Sequence, residues 1–160
     1  MVDLHTLQVF LGKTLSETYA AGKGKLANPQ RPGFEEYGFT EGDWEYRDSY
    51  AGGALSWGQE NVFYKGEPVW SLVYGGGIVK EFWGDKDIEK QAFTCMKIAL
   101  MQSRSGTPFL PRGPQCLRWE NCIYQARWAG DIEWFQGREE VFVDDKLVHI
   151  YDFAGGLYVK

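Results

Sequence analysis

The sequence predicts an α+β fold that contains an internal duplication of a helix plus three antiparallel strands. The two copies are expected to form an antiparallel sheet of about six strands with two helices on one face. Three observations lead to this prediction. Apolar residues recur at helical spacing in two segments, two-residue alternation follows each segment, and the two halves match in sequence at an offset of 79 residues.

The composition indicates one soluble domain over residues 1–160. A chain of this length buries about two-thirds of its unfolded surface in a single core. The net charge is −5 and the 17 Lys and Arg residues are scattered, which disfavours direct binding to nucleic acid. No segment has the roughly 18 apolar residues of a membrane span. The three cysteines lack CxxC spacing, which favours free thiols and a cytoplasmic location.

The first repeat is predicted at about residues 3–80. Asp3 is a candidate N-cap for an amphipathic helix over residues 4–20. Residues 23–42 combine Pro and Gly without periodicity, so they are predicted to form a long ordered connection. Three strands are expected, one from Asp43 to the Gly52-Gly53 turn and two at 54–64 and 68–75.

The second repeat is predicted at about residues 85–160, with Asp85 as the N-cap of a helix that extends to about residue 103. A Pro/Gly segment at 107–114 then leads back into strands. These strands are expected at 117–128, 131–143 and 147–153, with turns at Ala129-Gly130 and Asp144-Asp145.

The duplication is inferred from identities between the two halves. Seven of the 21 positions from Gly58 to Ile78 are identical to those from Gly137 to Leu157. The identical pairs are Gly58/Gly137, Glu60/Glu139, Val62/Val141, Phe63/Phe142, Val69/Val148, Gly76/Gly155 and Gly77/Gly156. Such self-similarity at a fixed offset indicates a repeated structural unit.

The strand pattern predicts a sheet that is apolar on both faces. A two-residue hairpin turn at Lys65-Gly66 would place Val62 opposite Val69 and Glu60 opposite Ser71. Alternation then assigns one face to Glu60, Val62, Val69, Ser71 and Val73, and the other to Phe63, Pro68, Trp70, Leu72 and Tyr74. Two helices cover only one face, so the other is expected to meet loops, a ligand or a partner subunit.

Glu60 and Glu139 occupy equivalent positions of the two repeats on a mostly valine face. A buried carboxylate needs a hydrogen-bonding or cationic partner, or else its pKa rises. The pair could face each other across a cleft, for acid/base work or as counter-ions of a cationic ligand. Alternatively, each lies near a strand end and bonds the backbone or a lysine.

Aromatic residues, Tyr50 among them, crowd the predicted strands of the first repeat. An aromatic box beside a glutamate binds flat or cationic molecules, and packing in the core explains the rings equally well. Arg47 is a candidate for holding an anionic group or for forming a surface ion pair. The candidate ligand-binding residues are Glu60, Glu139, Trp44, Tyr46, Arg47, Trp57, Trp70 and Tyr74.

Known catalytic motifs are not found in the sequence. The Gly75-Gly76-Gly77 run lacks the GKS/T ending of a phosphate loop, and no G-x-S-x-G elbow occurs. His5 and His149 have no metal-ligand spacing. The sequence therefore predicts no metal or cofactor, and it leaves open whether the chain is an enzyme.

Six short motifs extend across nearly the whole chain. They are Tyr46-Arg47-Asp48-Ser49-Tyr50, Gly58-Gln59-Glu60, Pro68-Val69-Trp70, Tyr74-Gly75-Gly76, Pro111-Arg112-Gly113-Pro114 and Phe135-Gln136-Gly137-Arg138-Glu139. Together they resemble an uncharacterised prokaryotic family catalogued as a domain of unknown function. The resemblance implies a module that stands alone or follows a helix-turn-helix DNA-binding domain, with an effector-sensing role. By architecture, the predicted fold is also similar to the effector-binding domains of multidrug-sensing regulators.

Three functions are consistent with these patterns. The first is a small-molecule binding module, whose pocket lies between the repeats and takes a cationic or aromatic ligand, with Glu60 and Glu139 as polar anchors. The second is a hydrolase or isomerase that uses the same glutamate pair. The third is a homodimeric interaction domain in which the uncovered aromatic face is the subunit interface.

Overall fold

The computed structural model describes residues 2–103 and 109–159. In these ranges the chain forms one antiparallel sheet of eight strands with two α-helices packed on one face. The helices are α1 (Leu4–Glu17) and α2 (Lys86–Ser103). The strands are β1 (Glu35–Glu41), β2 (Trp44–Gly52), β3 (Leu55–Tyr64), β4 (Glu67–Ile78), β5 (Cys116–Trp119), β6 (Cys122–Gly130), β7 (Trp134–Val143) and β8 (Lys146–Leu157). Their order in the sheet is β1-β2-β3-β4-β8-β7-β6-β5.

The α+β class is as predicted, but the prediction of six strands, three in each half, is wrong because the sheet has eight. The segment 23–42, predicted as a connection, contains the edge strand β1, which pairs with β2. Gly38 in that strand and the Pro and Gly residues before it obscure the alternation. The segment 117–128, predicted as one strand, is divided between β5 and β6 by a tight turn in which Glu120 has a φ of 52°.

Both helices begin at the predicted N-caps. Asp3 Oδ1 accepts a hydrogen bond from the Thr6 amide at 2.8 Å, and Asp85 Oδ1 accepts one from the Ile88 amide at 3.1 Å. These bonds satisfy amides that have no partner inside their own helix. Helix α1 is shorter than predicted, because a 3₁₀ turn at Tyr19–Ala21 replaces its last turn.

Replacing Asp3 with alanine is expected to lower the free energy of unfolding measurably, because the Thr6 amide loses its acceptor. Urea unfolding followed by circular dichroism measures the change. The control is Glu17→Ala at the exposed C-terminal end of the same helix, which is expected to change that free energy by less than about 0.5 kcal/mol. Equal losses in the two variants would contradict the capping role.

A β-bulge in each half shifts the strand register away from the predicted one. The Lys65-Gly66 turn joins β3 and β4 as predicted, but Val62 pairs with Trp70 rather than with Val69. The β7–β8 hairpin has the same irregularity just after Val141. The extra residue of a bulge moves every side chain beyond it to the opposite face of the sheet.

The predicted assignment of residues to the two faces of the sheet is therefore wrong. Trp70 and Tyr74 lie on the same face as Glu60, which is the face beneath the helices. The opposite face, called the outer face below, is open. It carries polar side chains together with exposed Trp57, Val73 and Trp134; the polar ones include Gln59, Arg127, Gln136, Arg138 and Asp152.

Each helix covers one half of the inner face. The buried side of α1 packs in a cluster with Tyr46, Val62 and Trp70. The buried side of α2 packs in a second cluster that includes Tyr124 and Val141. Within the described ranges, neither helix is both long enough and apolar enough to cross a membrane.

The two halves of the sheet meet where β4 pairs with β8. Tyr74 pairs there with Phe153, and these residues are separated by the same 79-residue offset that relates the two halves of the sequence. The pairing continues symmetrically, with Leu72 opposite Gly155 and Gly76 opposite Tyr151. Strand order and register are thus symmetric about this central pair, and both helices face the region beside it.

Candidate functional site

A buried arginine lies at the centre of the inner face. Arg112 comes from the Pro/Gly segment before β5 and is only 4% exposed. Its Nη1 donates to Glu60 Oε1 at 3.0 Å, and its Nη2 and Nε donate to Glu139 Oε1 at 2.8 and 3.1 Å. Burial opposes the charged form of Arg112, but the charges of Glu139 and Glu60 outweigh it and hold the pKa of Arg112 above its ordinary value.

Further hydrogen bonds extend this network into the second half of the sheet. The Tyr124 hydroxyl donates to Glu139 Oε2 at 2.6 Å. In turn, the Gly113 amide donates to the Tyr124 hydroxyl oxygen at 2.9 Å. Burial, reinforced by the charge of Glu139, raises the pKa of Tyr124 well above its ordinary value, so this hydroxyl stays protonated and remains a donor. The network therefore fixes both the arginine and the loop that carries it.

Glu60 and Glu139, which strand reasoning placed at equivalent positions, do converge. They are 1% and 0% exposed and bind the same guanidinium from two sides. A carboxylate held in this way serves as the counter-ion of an arginine, which is a different task from accepting a proton from a substrate. The predicted need for a cationic partner is met, and the partner is an arginine from a loop rather than a lysine.

A cavity of about 440 Å³ lies beside Arg112, between the inner face of the sheet and α2. The sheet supplies its polar wall, with Asp48 and Glu60 next to the arginine. Helix α2 supplies most of its apolar wall, with Phe93, Met96 and Leu100. Five tyrosines line the remainder, namely Tyr19, Tyr37, Tyr50, Tyr74 and Tyr151.

Tyr74 connects the arginine to the acidic wall of the cavity. Its ring centre is 4.8 Å from the Arg112 guanidinium carbon, and its hydroxyl donates to Asp48 Oδ1 at 2.9 Å. The ring lies across Gly58, where a Cβ atom would be 2.4 Å from it, so a larger residue there would displace Tyr74. Burial, with the charge of Asp48, raises the pKa of Tyr74 and keeps it a donor.

Three tyrosines from separate elements form the far wall. The rings of Tyr37 on β1 and Tyr50 on β2 are nearly parallel, at an interplanar angle of 8°. Tyr19 stands edge-on to both, at 86° and 77°. Glu35 Oε2 accepts a hydrogen bond from the Tyr50 hydroxyl at 2.8 Å. The hydrogen bond from Tyr50 and the nearby Lys25 hold the pKa of Glu35 below its ordinary value.

Helix α2 contributes one acid, Glu89, and two lysines, Lys86 and Lys97, to the cavity lining. Glu89 Oε2 accepts a hydrogen bond from Lys86 at 2.7 Å, whereas the buried Oε1 has no hydrogen-bond partner among residues 2–103 and 109–159. Lys97 Nζ lies 4.6 Å from the ring centre of Tyr19. A buried carboxylate oxygen without a hydrogen-bond partner lowers the stability of the folded state. Glu89 Oε1 is therefore a position in the site where a hydrogen-bond donor from a ligand would be favourable.

The structure distributes the eight predicted ligand-binding residues over four places. Glu60 and Tyr74 line the cavity, and Glu139 lies behind Arg112. Three of the rings, Trp44, Tyr46 and Trp70, pack in or against the apolar cluster under α1. The remaining two residues, Arg47 and Trp57, are on the outer face; Arg47 bonds Glu45 at 2.7 Å and Trp57 is 61% exposed.

Sequence reasoning missed several residues that line the cavity. Tyr37 lies on the unpredicted strand β1, and Tyr19 lies in the 3₁₀ turn beyond α1. Arg112 did carry a signal, since it is the cation in a Pro-Arg-Gly-Pro run and two buried glutamates require such a partner. Within the part of the chain that the structure describes, no three His, Cys, Asp or Glu side chains converge to hold a metal ion.

Comparisons with known proteins give one match. A family model described as a domain of unknown function (DUF5680) matches residues 48–158. This stretch begins at Asp48 and contains Glu60, Tyr74, Arg112 and Glu139, so the whole buried ion-pair network lies inside it. Neither the curated proteins nor the solved structures contain a match to the chain.

Proposed function

The chain belongs to the family described as a domain of unknown function (DUF5680), and from its cavity we propose that it is a module that binds a small molecule. The observation that carries the proposal is the cavity beside Arg112. Its volume of about 440 Å³ falls within the range of roughly 300–1,000 Å³ that is typical of ligand sites. Its walls combine aromatic rings with a few polar groups that are already held in place, as such sites require.

The charges around the cavity favour a cationic ligand. Among the described residues, three buried acids, Asp48, Glu60 and Glu139, lie close to the buried cation Arg112. Asp48 and Glu60 line the cavity, so the positive charge of a ligand would meet carboxylates on the sheet side. Glu89 adds an acid on the helical side, where Lys86 and Lys97 also line the cavity.

The tyrosines favour an aromatic or quaternary ammonium compound. Five tyrosine rings supply π-faces that attract cations and pack against flat molecules. Tyr74 already holds one cation, Arg112, over its ring at 4.8 Å. The proposed ligand is therefore a small aromatic amine or ammonium compound, with its charge toward Asp48 and its apolar part toward Phe93 and Met96.

Binding is expected from a panel of aromatic amines and quaternary ammonium compounds, each paired with a neutral isostere. A cationic member that binds should raise the unfolding temperature, because a ligand present at 100 times its Kd stabilises the folded state by about 2.7 kcal/mol. Asp48→Asn keeps an acceptor for Tyr74 but removes a charge, and is expected to raise the Kd about tenfold. Scanning calorimetry measures the unfolding temperature, and titration calorimetry measures the Kd.

The matched control is Glu45→Gln, which removes an acid from the outer face and should leave the Kd unchanged. Neutral isosteres that bind as tightly as the amines would remove the cationic part of the proposal. If no compound of either kind raises the unfolding temperature of the wild-type chain, the cavity is not a site for this class of ligand.

The hydrolase or isomerase alternative gains no support from the described contacts, because both glutamates bind Arg112. We propose instead an effector-sensing role beside a separate DNA-binding partner, which a ligand-dependent change in that partner's DNA affinity would test.

We also propose that the chain arose by internal duplication. The symmetric pairing of β4 with β8 and the matched bulges support this, and superposition of residues 58–78 on 137–157 in an experimental structure would test it. A prokaryotic origin and a cytoplasmic location stay predictions.

A further inference from the structure

We propose that the outer face carries a second binding site, for a neutral oligosaccharide, in the trough between Trp57 and the Arg138–Asp152 pair. The trough has a volume of about 1000 Å³ and lies on the side of the sheet opposite the tyrosine cavity. The inference is independent of the proposed function, because the side chains on which it rests, Trp57, Arg138 and Asp152, do not line the tyrosine cavity.

The trough follows a row of residues across five neighbouring strands. Trp57 on β3 pairs with Gly75 on β4, which pairs with Asp152 on β8. Asp152 pairs with Arg138 on β7, and Arg138 with Arg127 on β6. Because adjacent strands are about 4.8 Å apart, Trp57 and Arg138 stand about 14 Å from each other across the sheet. Val73 and Gly75 of β4 and Ala154 of β8 line the floor between them.

Trp57 lies on the surface of the sheet instead of packing in the core. Its side chain lies against Gly75, where a Cβ atom would be 2.2 Å from Trp57 Cδ1. The residue is nevertheless 61% exposed, so one side of the indole rests on the sheet while the remainder faces the trough. An indole in this position offers a rigid apolar surface for a flat ligand ring, with little conformational entropy to lose on binding.

The opposite wall of the trough is polar but electrically balanced. Arg138 donates to both carboxylate oxygens of Asp152, at 2.7 and 2.9 Å. Arg127 has Glu140 at 3.9 Å as its partner. Each arginine of the trough thus has a carboxylate close by, which disfavours a polyanion such as nucleic acid, whose binding depends on unpaired positive charge.

A sugar matches this combination of groups. The axial C–H side of a pyranose ring is apolar and can lie on the indole of Trp57, whereas its hydroxyl groups need both donors and acceptors. Arg138 supplies donors, Asp152 supplies acceptors, and Gln136 supplies both. A neutral ligand leaves the ion pair intact, and a trough that is open along its length can accept a chain of sugar units.

The test is titration of the whole protein with neutral hexasaccharides of glucose and of N-acetylglucosamine, followed by calorimetry and by the indole N–H resonance of Trp57. Saturable binding is expected. Trp57→Ala should raise the Kd by about tenfold or more, because stacking and apolar burial are lost, and Arg138→Met should also raise it. Trp83→Ala, an exposed tryptophan outside the sheet, is the matched control and should have no effect.

Other outcomes would overturn the proposal. One is the absence of binding to any hexasaccharide by the wild-type protein. A second is binding that Asp48→Asn abolishes and Trp57→Ala leaves unchanged, which would place the sugar in the tyrosine cavity. A third is Trp57-dependent binding of single-stranded DNA, or Trp57-dependent dimerisation in light scattering, in place of sugar binding.

Discussion

Replacing Arg112 with methionine is expected to lower the free energy of unfolding by about 3–5 kcal/mol, because buried Glu60 and Glu139 lose the hydrogen bonds and the positive charge that Arg112 supplies. Glu60 and Glu139 are 1% and 0% exposed, so neither can reach water without local unfolding. The stacking of the guanidinium on Tyr74 is lost as well. For a chain of this length the loss corresponds to a fall of roughly 10 °C in Tm. Urea unfolding and calorimetry measure it.

Two further variants separate the buried network from ordinary charge loss. Arg138→Met removes an arginine from the exposed ion pair with Asp152 and is expected to cost less than about 1 kcal/mol. Adding Glu60→Gln and Glu139→Gln to the Arg112→Met variant should recover part of the lost stability, since these two buried side chains are then uncharged. A cost for Arg112→Met as small as that for Arg138→Met would contradict the assigned role of the buried network.

His149 is expected to make the protein sensitive to acid, and His149→Phe should remove this sensitivity. The imidazole is fully buried, with its ring centre 4.4 Å from that of Tyr151 and 5.5 Å from that of Phe93. Neither ring nitrogen has a hydrogen-bond partner within residues 2–103 and 109–159. Burial lowers the pKa of His149 from 6.5 to about 4, with Glu139 acting to raise it and Arg112 to lower it.

The direction of this pH dependence follows from the protonation of His149 in the folded and unfolded states. Above pH 6.5 the histidine is neutral in both the folded and unfolded states, so it adds no pH dependence. As the pH falls from 6.5 to 4 the unfolded chain takes up the proton first, and stability is lost. At pH 4 the resulting loss in the free energy of unfolding is roughly 3 kcal/mol.

The wild-type protein and the His149→Phe variant should therefore have similar stability at pH 7, and the variant should be more stable by roughly 3 kcal/mol at pH 4. Urea unfolding at a series of pH values gives the two curves, and their difference removes the contribution of the carboxylates. His5→Gln, which changes an exposed histidine in the first turn of α1, is the control and should follow the wild-type curve. Parallel curves for wild type and His149→Phe would contradict the prediction.

Local patterns were sufficient for the helices and for several turns. Asp3 and Asp85 have the side chains that cap helices, and both accept amide hydrogen bonds at the predicted positions. The Lys65-Gly66 turn was predictable because Gly tolerates positive φ, and both residues adopt it. Capping and tight turns depend on residues within a few positions of each other, so a linear sequence contains the information that determines them.

The strand register illustrates where local patterns fail. Alternation assigned Trp70 and Tyr74 to the face opposite Glu60, because it assumed regular pairing from the turn onward. The bulge after Val62 reverses this assignment. A bulge is a property of two paired strands, and here it places Trp70 in the apolar cluster beneath α1. The predicted assignment of residues to the two faces failed for this one reason.

By itself the sequence determined the α+β class, both helix N-caps and the correspondence between Glu60 and Glu139. Only the tertiary structure decided which faces those residues share, that Arg112 joins them, and that tyrosines from β1, β2 and the turn after α1 close a cavity beside them. The physical reason is the separation in sequence over which each kind of interaction acts. Capping and alternation act between neighbours in the chain, whereas the partner of a buried charge is chosen by desolvation across the whole fold, here over sequence separations of 52 and 27 residues.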